Sequence, residues 1–276
     1  MLTDLNAVLS GSRPPRFAYN VSSVEGFRAV FEFGEAHDRP MIMQCSERYL
    51  LDLGEKYFQA VVVPRLSDSK NRFVLHLDHA TSIRAVLRGI RAGFSSVMFD
   101  GSALPLEDNI KHSEQALFLC REAEIRSFEA EIGHVGGAED GDEEEERYFT
   151  RIDEAKAFWS RVPVDFLAVS VGNAHGRYHS TPHIQFELLA GLAREVSVPL
   201  VLHGGTGIAD ADLIRATHLG IKKINIGTEL KAAWSAGLKC AMDEGELEPD
   251  RIRLQAQRFI ATAVERLEGI LPDGQD

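Results

Sequence analysis

The sequence predicts an α/β protein in which eight parallel strands alternate with helices and close into a (β/α)8 TIM barrel, with an additional C-terminal helix. Eight short apolar runs recur along the chain, and the segments between them carry apolar residues three and four positions apart, as amphipathic helices do. The runs are apolar almost throughout, which is typical of parallel strands buried on both faces. Eight such units in a chain of 276 residues favour a closed barrel over an open sheet.

The predicted strands follow one another at a regular spacing. In chain order they cover residues 17–21, 40–45, 73–78, 96–101, 127–133, 166–172, 199–205 and 223–228. Helical periodicity between them is clearest in VEGFRAVFEFGEAH, SIRAVLRGIRAG, NIKHSEQALFLCREA, IQFELLAGLAREV and ADLIRATHLG. After the last strand, RIRLQAQRFIATAVERLEGIL predicts one further helix that ends before Pro272.

Composition and charge exclude several classes of protein. The 30 basic and 42 acidic side chains give a net charge of −12, which opposes nonspecific binding to nucleic acid or to an anionic membrane. No apolar run approaches the roughly 20 residues of a membrane span, and the N-terminus lacks the pattern of a secretory signal. We therefore expect a cytoplasmic protein. Cys45, Cys120 and Cys240 lie too far apart for a Cys-x-x-Cys metal site.

A single domain spanning residues 1–276 is expected, because no linker or break in composition divides the chain. One segment, 134–150, is rich in glycine and acidic residues and is longer than an ordinary connection between a strand and a helix. A loop of that length is usually functional or disordered. Its run of glutamates at 143–146 is expected to be a solvated acidic surface.

Polar residues at the strand ends indicate where the chemistry lies, since active sites of such barrels are built at the carboxyl ends of the strands. The third predicted strand ends in Asp78 and His79, the sixth leads to His175, and the seventh reaches His203. A single histidine at such a position is more often structural, but three at matching strand ends predict a metal site. Three imidazoles suit zinc and leave a fourth position open for water or substrate.

Two glycine-containing loops predict a phosphate site. Residues 204–207 (GGTG) follow the seventh strand, and residues 225–228 (NIGT) lead from the eighth strand into a helix near Glu229. Backbone N–H groups and a helix N-terminus in these loops bind phosphate in many barrels, although any tight turn also favours glycine. An acidic protein can hold a phosphate in this way without a lysine cluster.

Four carboxylates near the strand ends are candidates for acid–base or supporting roles. Asp78, at the barrel mouth, suits proton transfer at a substrate oxygen; the alternative is a carboxylate that orients a histidine. Asp100 and Glu131 end the fourth and fifth strands, where they would support the histidines or offer an alternative metal position. Glu139 follows glycines in the long acidic loop, which would let that loop carry a base onto bound substrate.

A series of motifs together resembles a known family, the class II metal-dependent ketose-bisphosphate aldolases, which include fructose- and tagatose-bisphosphate aldolases. The motifs are AYNVSS, LHLDHA, MFDGS, EAEIGHVGGAED, GNAHGRY, LHGGTG and NIGTELK, and they extend over nearly the whole chain. The resemblance implies that His79, His175 and His203 bind the catalytic zinc. It implies that Asp78 handles the proton of the C4 hydroxyl and that Glu139 exchanges the proton at C3 of dihydroxyacetone phosphate.

The resemblance also implies a set of residues around the ketose phosphate. They are Asn20, Ser46, Gly176, Gly204, Gly205, Thr206, Asn225, Ile226, Gly227 and Thr228. Members of the family often hold a sodium or potassium ion beside the phosphate, and they are usually dimers or tetramers. We therefore expect Zn²⁺, a monovalent cation (Na⁺ or K⁺) and a homodimer or homotetramer.

The implied reaction is the reversible cleavage of a ketose (bis)phosphate to dihydroxyacetone phosphate and an aldehyde such as glyceraldehyde 3-phosphate, a step of carbohydrate metabolism such as glycolysis. Cleavage leaves negative charge beside a carbonyl, and zinc at the C2 oxygen would stabilise the resulting enediolate. A lysine Schiff base is then unnecessary. Lys222 and Lys223 accordingly lie at the start of the eighth predicted strand, the end remote from the barrel mouth.

Departures from the family pattern leave the sugar open. Gly227 stands where fructose-bisphosphate enzymes often carry Asp and is closer to tagatose-type members, while Thr206 replaces a usual serine but keeps the hydroxyl. Arg48 and Arg177 are candidates to bind a phosphate or carboxylate on the distal half of the substrate; the alternative is two ordinary surface arginines.

Three other functions stay open at the level of sequence. The chain could be an aldolase for a different phosphorylated keto sugar acid, or a barrel that binds sugar phosphate without catalysis, as an accessory subunit; Asp78 and Glu139 argue against the latter. A different metal-dependent barrel enzyme such as an amidohydrolase would usually carry a His-x-His pair on its first strand, where this chain reads FAYNV.

Overall fold

The structure, a computed structural model, describes residues 1–136, 148–174, 176 and 182–271. The described residues form nine strands. They are β1 (Leu2–Thr3), β2 (Arg16–Asn20), β3 (Met41–Ser46), β4 (Phe73–Ala80), β5 (Ser96–Phe99), β6 (Ser127–Ile132), β7 (Phe166–Val169), β8 (Leu200–Leu202) and β9 (Ile221–Ile226).

Helices occupy most connections between the strands. They are α1 (Leu5–Leu9), α2 (Val24–His37), α3 (Glu47–Leu53), α4 (Glu55–Tyr57), a π-helical turn (Phe58–Val62), α5 (Val63–Ser67), α6 (Ile83–Ala92), α7 (Leu106–Glu122), α8 (Ile152–Arg161), α9 (Phe186–Glu195), α10 (Asp210–His218), α11 (Thr228–Asp243) and α12 (Pro249–Glu268). None of the helices in these ranges combines the length and the apolar character that a bilayer span requires.

The predicted (β/α)8 barrel is confirmed. Strands β2 to β9 are all parallel to their neighbours, and the pairs β2–β9 and β4–β5 join the ends of the sheet into a closed ring. Each predicted apolar run contributes one barrel strand, and α12 is the predicted C-terminal helix. Because all eight strands run the same way, their carboxyl ends meet at one rim, where a site can form.

The last helix is fixed to the barrel by a buried polar contact as well as by packing on α2 and α11. Tyr19 on β2 donates from its hydroxyl to Glu268 Oε1 over 2.6 Å, and Arg39 Nε lies 2.6 Å from Glu268 Oε2. Burial and the neighbouring Glu268 carboxylate raise the pKa of Tyr19 well above its usual value, so it remains a hydrogen-bond donor.

The amino-terminal segment forms structure that the hydrophobic pattern does not predict. Strand β1 pairs with the first two residues of β4, and helix α1 follows it. Leu5, Val8 and Leu9 of α1 are almost completely buried against inward-facing side chains of the strands. Helix α1 therefore covers the amino end of the barrel interior and leaves the opposite end as the open rim.

Candidate active site

An irregularity in β4 brings two consecutive side chains to the rim. Leu77 pairs with Val97 and Ala80 with Phe99, so three steps along β4 match two along β5, which is a β-bulge. His79 has a φ of 48°, a left-handed conformation that is uncommon for residues other than glycine. Consecutive residues of a regular strand face opposite sides, so the bulge explains how Asp78 and His79 both reach the mouth.

Asp78 lies in a cradle of three side-chain amides. Asn20 Nδ2 donates to Asp78 Oδ2 over 2.8 Å and Gln44 Nε2 to the same oxygen over 3.0 Å. Asn225 Nδ2 donates to Oδ1 over 3.2 Å. The Gln44 amide also contacts Asn20 Oδ1. These donors come from three neighbouring strands and hold the completely buried carboxylate in one orientation.

His79 is oriented by a carboxylate from the next strand. Its Nδ1 lies 2.7 Å from Asp100 Oδ2, and Glu131 Oε2 lies 3.9 Å from the same nitrogen. Burial acts to raise the pKa of Asp100, but the hydrogen bond and charge of His79 and the Ser102 N–H outweigh it and lower that pKa. An ionised Asp100 accepts a hydrogen bond from Nδ1–H, so the lone pair of a neutral His79 ring lies on Nε2.

His203, just beyond β8, lies against the His79 ring. The two ring centroids are 4.6 Å apart and the rings are nearly perpendicular. Its Nε2 lies 2.9 Å from Glu129 Oε1, and its Nδ1 lies 3.4 Å from Glu131 Oε2. Burial, followed by the charge of Asp100, raises the pKa of Glu131 well above its ordinary value.

The donor set fits a divalent metal ion. One ligand atom from each of Asp78, His79 and His203 lies within 4.8 Å of the others, and the same holds for His79, Asp100 and Glu131. Among the described residues, no donor makes a hydrogen bond to the buried oxygen Glu131 Oε2, which instead faces the two imidazoles. Imidazole nitrogens mixed with carboxylate oxygens are ligands that zinc accepts.

The two predicted phosphate loops meet beside this cluster. Gly205 N–H donates to Asn225 O over 2.9 Å, and the N–H of Glu229, in the first turn of α11, donates to Thr206 Oγ1 over 3.3 Å. Gly204 has a φ of +63°, and a Cβ there would lie 2.0 Å from Ala174 O. Only glycine permits this approach of the loops after β7 and β8.

The remaining predicted site residues lie in several environments. Ser46 caps the N-terminus of α3, accepting from Tyr49 N–H over 3.4 Å. Ile226 is completely buried in the apolar layer between barrel and helices, so only its backbone can face a ligand at the mouth. Gly227 is the N-cap of α11, and Thr228 is the first residue of that helix. Gly176 is half-buried after β7. His175, Glu139 and Arg177 lie outside the described residues.

Three polar residues of the interior are not among the predicted site residues. Gln44 and Glu129 contact Asp78 and His203, and Lys223 Nζ lies 2.9 Å from Glu129 Oε2. Lys223 differs from its predicted position, because β9 begins at Ile221 and the lysine side chain is buried inside the barrel. The alternation in SFEAEIG places Glu129 and Glu131 on the same face of the strand. That alternation is the sequence feature from which a site role for Glu129 could be predicted.

Comparison with known proteins shows that the chain is an aldolase and therefore a lyase. Metal dependence is the norm among aldolases of this kind. More particularly, residues 16–271 match the family described as Fructose-bisphosphate aldolase class-II, and the chain belongs to that family. The family expected from the sequence motifs is thereby confirmed.

Relatives within the family carry names for different substrates. The chain is 36% identical over 255 residues to a 6-phospho-5-dehydro-2-deoxy-D-gluconate aldolase of Shouchella clausii (strain KSM-K16), covering 90% of this chain and 86% of the relative. It is 35% identical over 229 residues to a sulfofructosephosphate aldolase of Alkalicoccus urumqiensis, covering 82% of this chain and 79% of the relative.

Solved structures are similar over nearly the full length. The YdjI aldolase of Escherichia coli K12 has a TM-score of 0.87 at 28% identity, covering 99% of this chain and 98% of that one. A fructose-bisphosphate aldolase of Campylobacter jejuni has a TM-score of 0.74 at 22% identity, covering 94% and 90% respectively, a likeness that supports the fold.

Proposed function

We propose that this chain, acting as one aldolase domain, is a zinc-dependent enzyme that reversibly cleaves a phosphorylated ketose to dihydroxyacetone phosphate and an aldehyde. The observation that carries the proposal is the buried Asp78 carboxylate, held by three amides within ligand distance of His79 and His203. Family membership supports the aldolase reaction; the metal and the two products are the parts proposed here.

His79, His175 and His203 would hold the zinc, with Asp100 and Glu131 supporting them from the neighbouring strands. When bound, the metal supplies a Lewis acid that stabilises negative charge at the C2 oxygen of the ketose. Asp100 keeps His79 in the Nδ1–H tautomer, because its oxygen lies 2.7 Å from that nitrogen. The chain contributes a fixed arrangement of ligands at the open rim.

Asp78 would take the proton from the C4 hydroxyl during cleavage and return it during condensation. Its Oδ2 accepts two amide hydrogen bonds, whereas Oδ1 accepts one and keeps a lone pair for the substrate hydroxyl. The amides fix the direction of that lone pair, which is the orientation that proton transfer requires. Glu139 would exchange the proton at C3 of dihydroxyacetone phosphate.

The phosphate would bind where the loops after β8 and β9 meet. Gly204, Gly205 and Thr206 lie beside the N-terminus of α11, whose helix dipole favours an anion. Gly176, Asn225, Ile226, Gly227 and Thr228 would complete this side, with a sodium or potassium ion beside it, and Asn20 and Ser46 would face the rest of the sugar. We also propose a homodimer or homotetramer.

The names of the relatives favour a substrate other than fructose 1,6-bisphosphate. One relative is named for a phosphorylated deoxygluconate and another for a sulfonated fructose phosphate. Both names describe an anionic group on the sugar besides, or in place of, the usual phosphate. Gly227 departs from the fructose-bisphosphate pattern, and the exposed Arg48 would bind such an anionic group on the distal half of the substrate.

A cleavage assay across a panel of substrates tests the proposal. The panel contains ketose mono- and bisphosphates, a sulfonated ketose phosphate and a phosphorylated keto sugar acid, each with zinc and with a chelator. We expect zinc-dependent release of dihydroxyacetone phosphate from at least one of them. Absence of turnover on the whole panel by folded, zinc-loaded protein would contradict the proposed zinc-dependent release of dihydroxyacetone phosphate.

A further inference from the structure

Beneath the rim, the barrel interior holds an ion pair that the proposed reaction does not use. Glu129 on β6 and Lys223 on β9 are both 0% exposed, and Lys223 Nζ lies 2.9 Å from Glu129 Oε2. Burying two charges costs desolvation free energy that their attraction offsets only in part, so such a pair is weak evidence for stability alone. A role other than stability is indicated by the contact of the other carboxylate oxygen of Glu129.

Glu129 Oε1 lies 2.9 Å from Nε2 of His203, which is also completely buried. An ionised carboxylate oxygen can only accept, so this contact requires the proton of His203 to be on Nε2. The lone pair of a neutral ring is then on Nδ1. That atom lies 3.4 Å from Glu131 Oε2, on the side where the candidate metal ligands gather.

A third neighbour of Glu129 limits its movement. His76 Nε2 lies 3.5 Å from Glu129 Oε2, and His76 Nδ1 lies 2.7 Å from Ser96 Oγ. Glu129 thus contacts groups from β4, from β9 and from the residue that follows β8. With one oxygen beside Lys223 and His76, the carboxylate cannot rotate away from His203 without leaving a buried ammonium group unpaired.

We propose that Glu129, held in place by Lys223, is a positioning residue that fixes the tautomer and ring orientation of His203 for metal binding. The proposal rests on the proposed function, because it requires His203 to be a metal ligand. Asp100 orients His79 through its Nδ1 atom. Glu129 orients His203 in the same way, but through Nε2 and from beneath the rim. Carboxylates that orient ligating histidines typically change metal affinity by about 10- to 100-fold when they are lost.

The test measures the dissociation constant for zinc in metal-stripped protein, by competition with a chromogenic chelator. Glu129→Gln keeps the side-chain shape, and we expect it to weaken zinc binding by about 10- to 100-fold. The double variant Glu129→Leu/Lys223→Met removes both buried charges and the acceptor beside His203 Nε2, so it stays informative if the single variant folds poorly, and the same loss is expected. Ser127→Ala, two residues earlier on β6, should bind zinc like the unmodified protein.

His203→Ala separates this proposal from the proposed function. If His203→Ala leaves zinc affinity unchanged, the metal site is wrongly assigned and the proposed function fails with it. If it weakens zinc binding while both Glu129 variants bind normally, only the positioning role is overturned. In a His203→Ala background, Glu129→Gln should cause no additional loss; an additional loss would show that Glu129 does not act through His203.

Discussion

The two ends of the barrel interior differ in chemistry although the same strands build both. At the amino end, inward side chains pack on α1; they are Ala18, Ile42, Val74, Phe166, Ala168 and Val201. Two residues further along four of these strands, the inward positions are polar and buried; they are Asn20, Gln44, His76 and His203. Two residues along a strand span only about 6.6 Å, so the two sets of side chains form adjacent layers of the barrel interior. We call the apolar set at the amino end the lower layer and the polar set toward the rim the upper layer.

This difference shows how one fold keeps stability and reactivity apart. The lower layer is closed by α1 and gains its stability from apolar contacts, while in the upper layer buried polar groups contact one another across strands. Substitutions in the upper layer should therefore change chemistry, metal affinity or the pH dependence of stability, and substitutions in the lower layer should lower the free energy of unfolding at every pH.

The largest effect on turnover is expected at Asp78. Asp78→Asn keeps a side chain of similar shape in the amide cradle but removes the base, so kcat for ketose cleavage should fall by about 10²- to 10⁴-fold. Because the new amide N–H faces a donor of the cradle, kcat is compared at a temperature where calorimetry shows the variant to be folded and at full zinc occupancy, confirmed by metal analysis. Retained turnover would assign the C4 proton to another group.

The matched change in the lower layer is Leu9→Ala. Leu9 is completely buried beneath the strands, and its loss leaves a cavity, so the free energy of unfolding should fall by about 2–5 kcal/mol in urea titrations. At a temperature where the variant is fully folded, kcat should equal that of the unmodified protein. A folded Leu9→Ala protein with much reduced kcat would break the separation of the two layers.

A smaller effect is expected at the carboxylate beside His79. Asp100→Asn removes an anion 2.7 Å from Nδ1 and should weaken zinc binding by about 10- to 100-fold in chelator competition. Asp108→Asn is the matched control, since it removes an equal charge from an exposed position in the first turn of α7. Equal zinc affinities for the two variants would contradict the supporting role of Asp100.

The smallest effect is a pH dependence of stability from His76. Burial, and then Lys223, lower the pKa of His76 well below its ordinary 6.5, so it is neutral in the fold and becomes charged on unfolding. The unfolded chain therefore binds one more proton as pH falls below about 6.5, and stability falls by up to about 1.4 kcal/mol per pH unit.

His76→Gln measures that contribution. In urea titrations of metal-free protein at several pH values from about 7.5 to 5, the free energy of unfolding should fall less steeply for the variant than for the unmodified chain. Identical slopes would show that His76 keeps its ordinary proton affinity inside the barrel.

Much of the fold and part of the site follow from sequence pattern. Apolar runs locate all eight barrel strands, and the rule that parallel strands share a carboxyl rim brings Asp78, His79 and His203 together. That rule works because it depends only on strand direction. Helix α1 escaped prediction because five residues are too few to show a helical period.

The contacts inside the barrel could not be predicted in the same way. Residues of different strands lie at the same height in the barrel only through the register of the closed sheet. That register depends on irregularities such as the bulge beside His79. The pairing of Lys223 with Glu129 joins strands that are not adjacent, and no local pattern encodes it. Its recognition required the three-dimensional arrangement.

The most direct test of a metal-dependent centre in the upper layer is a zinc titration of chelator-stripped protein, with ketose cleavage measured at each step. We predict negligible turnover without zinc and a rise in proportion to bound zinc that ends at one ion per chain. Full turnover in the stripped protein, or zinc binding that leaves the rate unchanged, would contradict it.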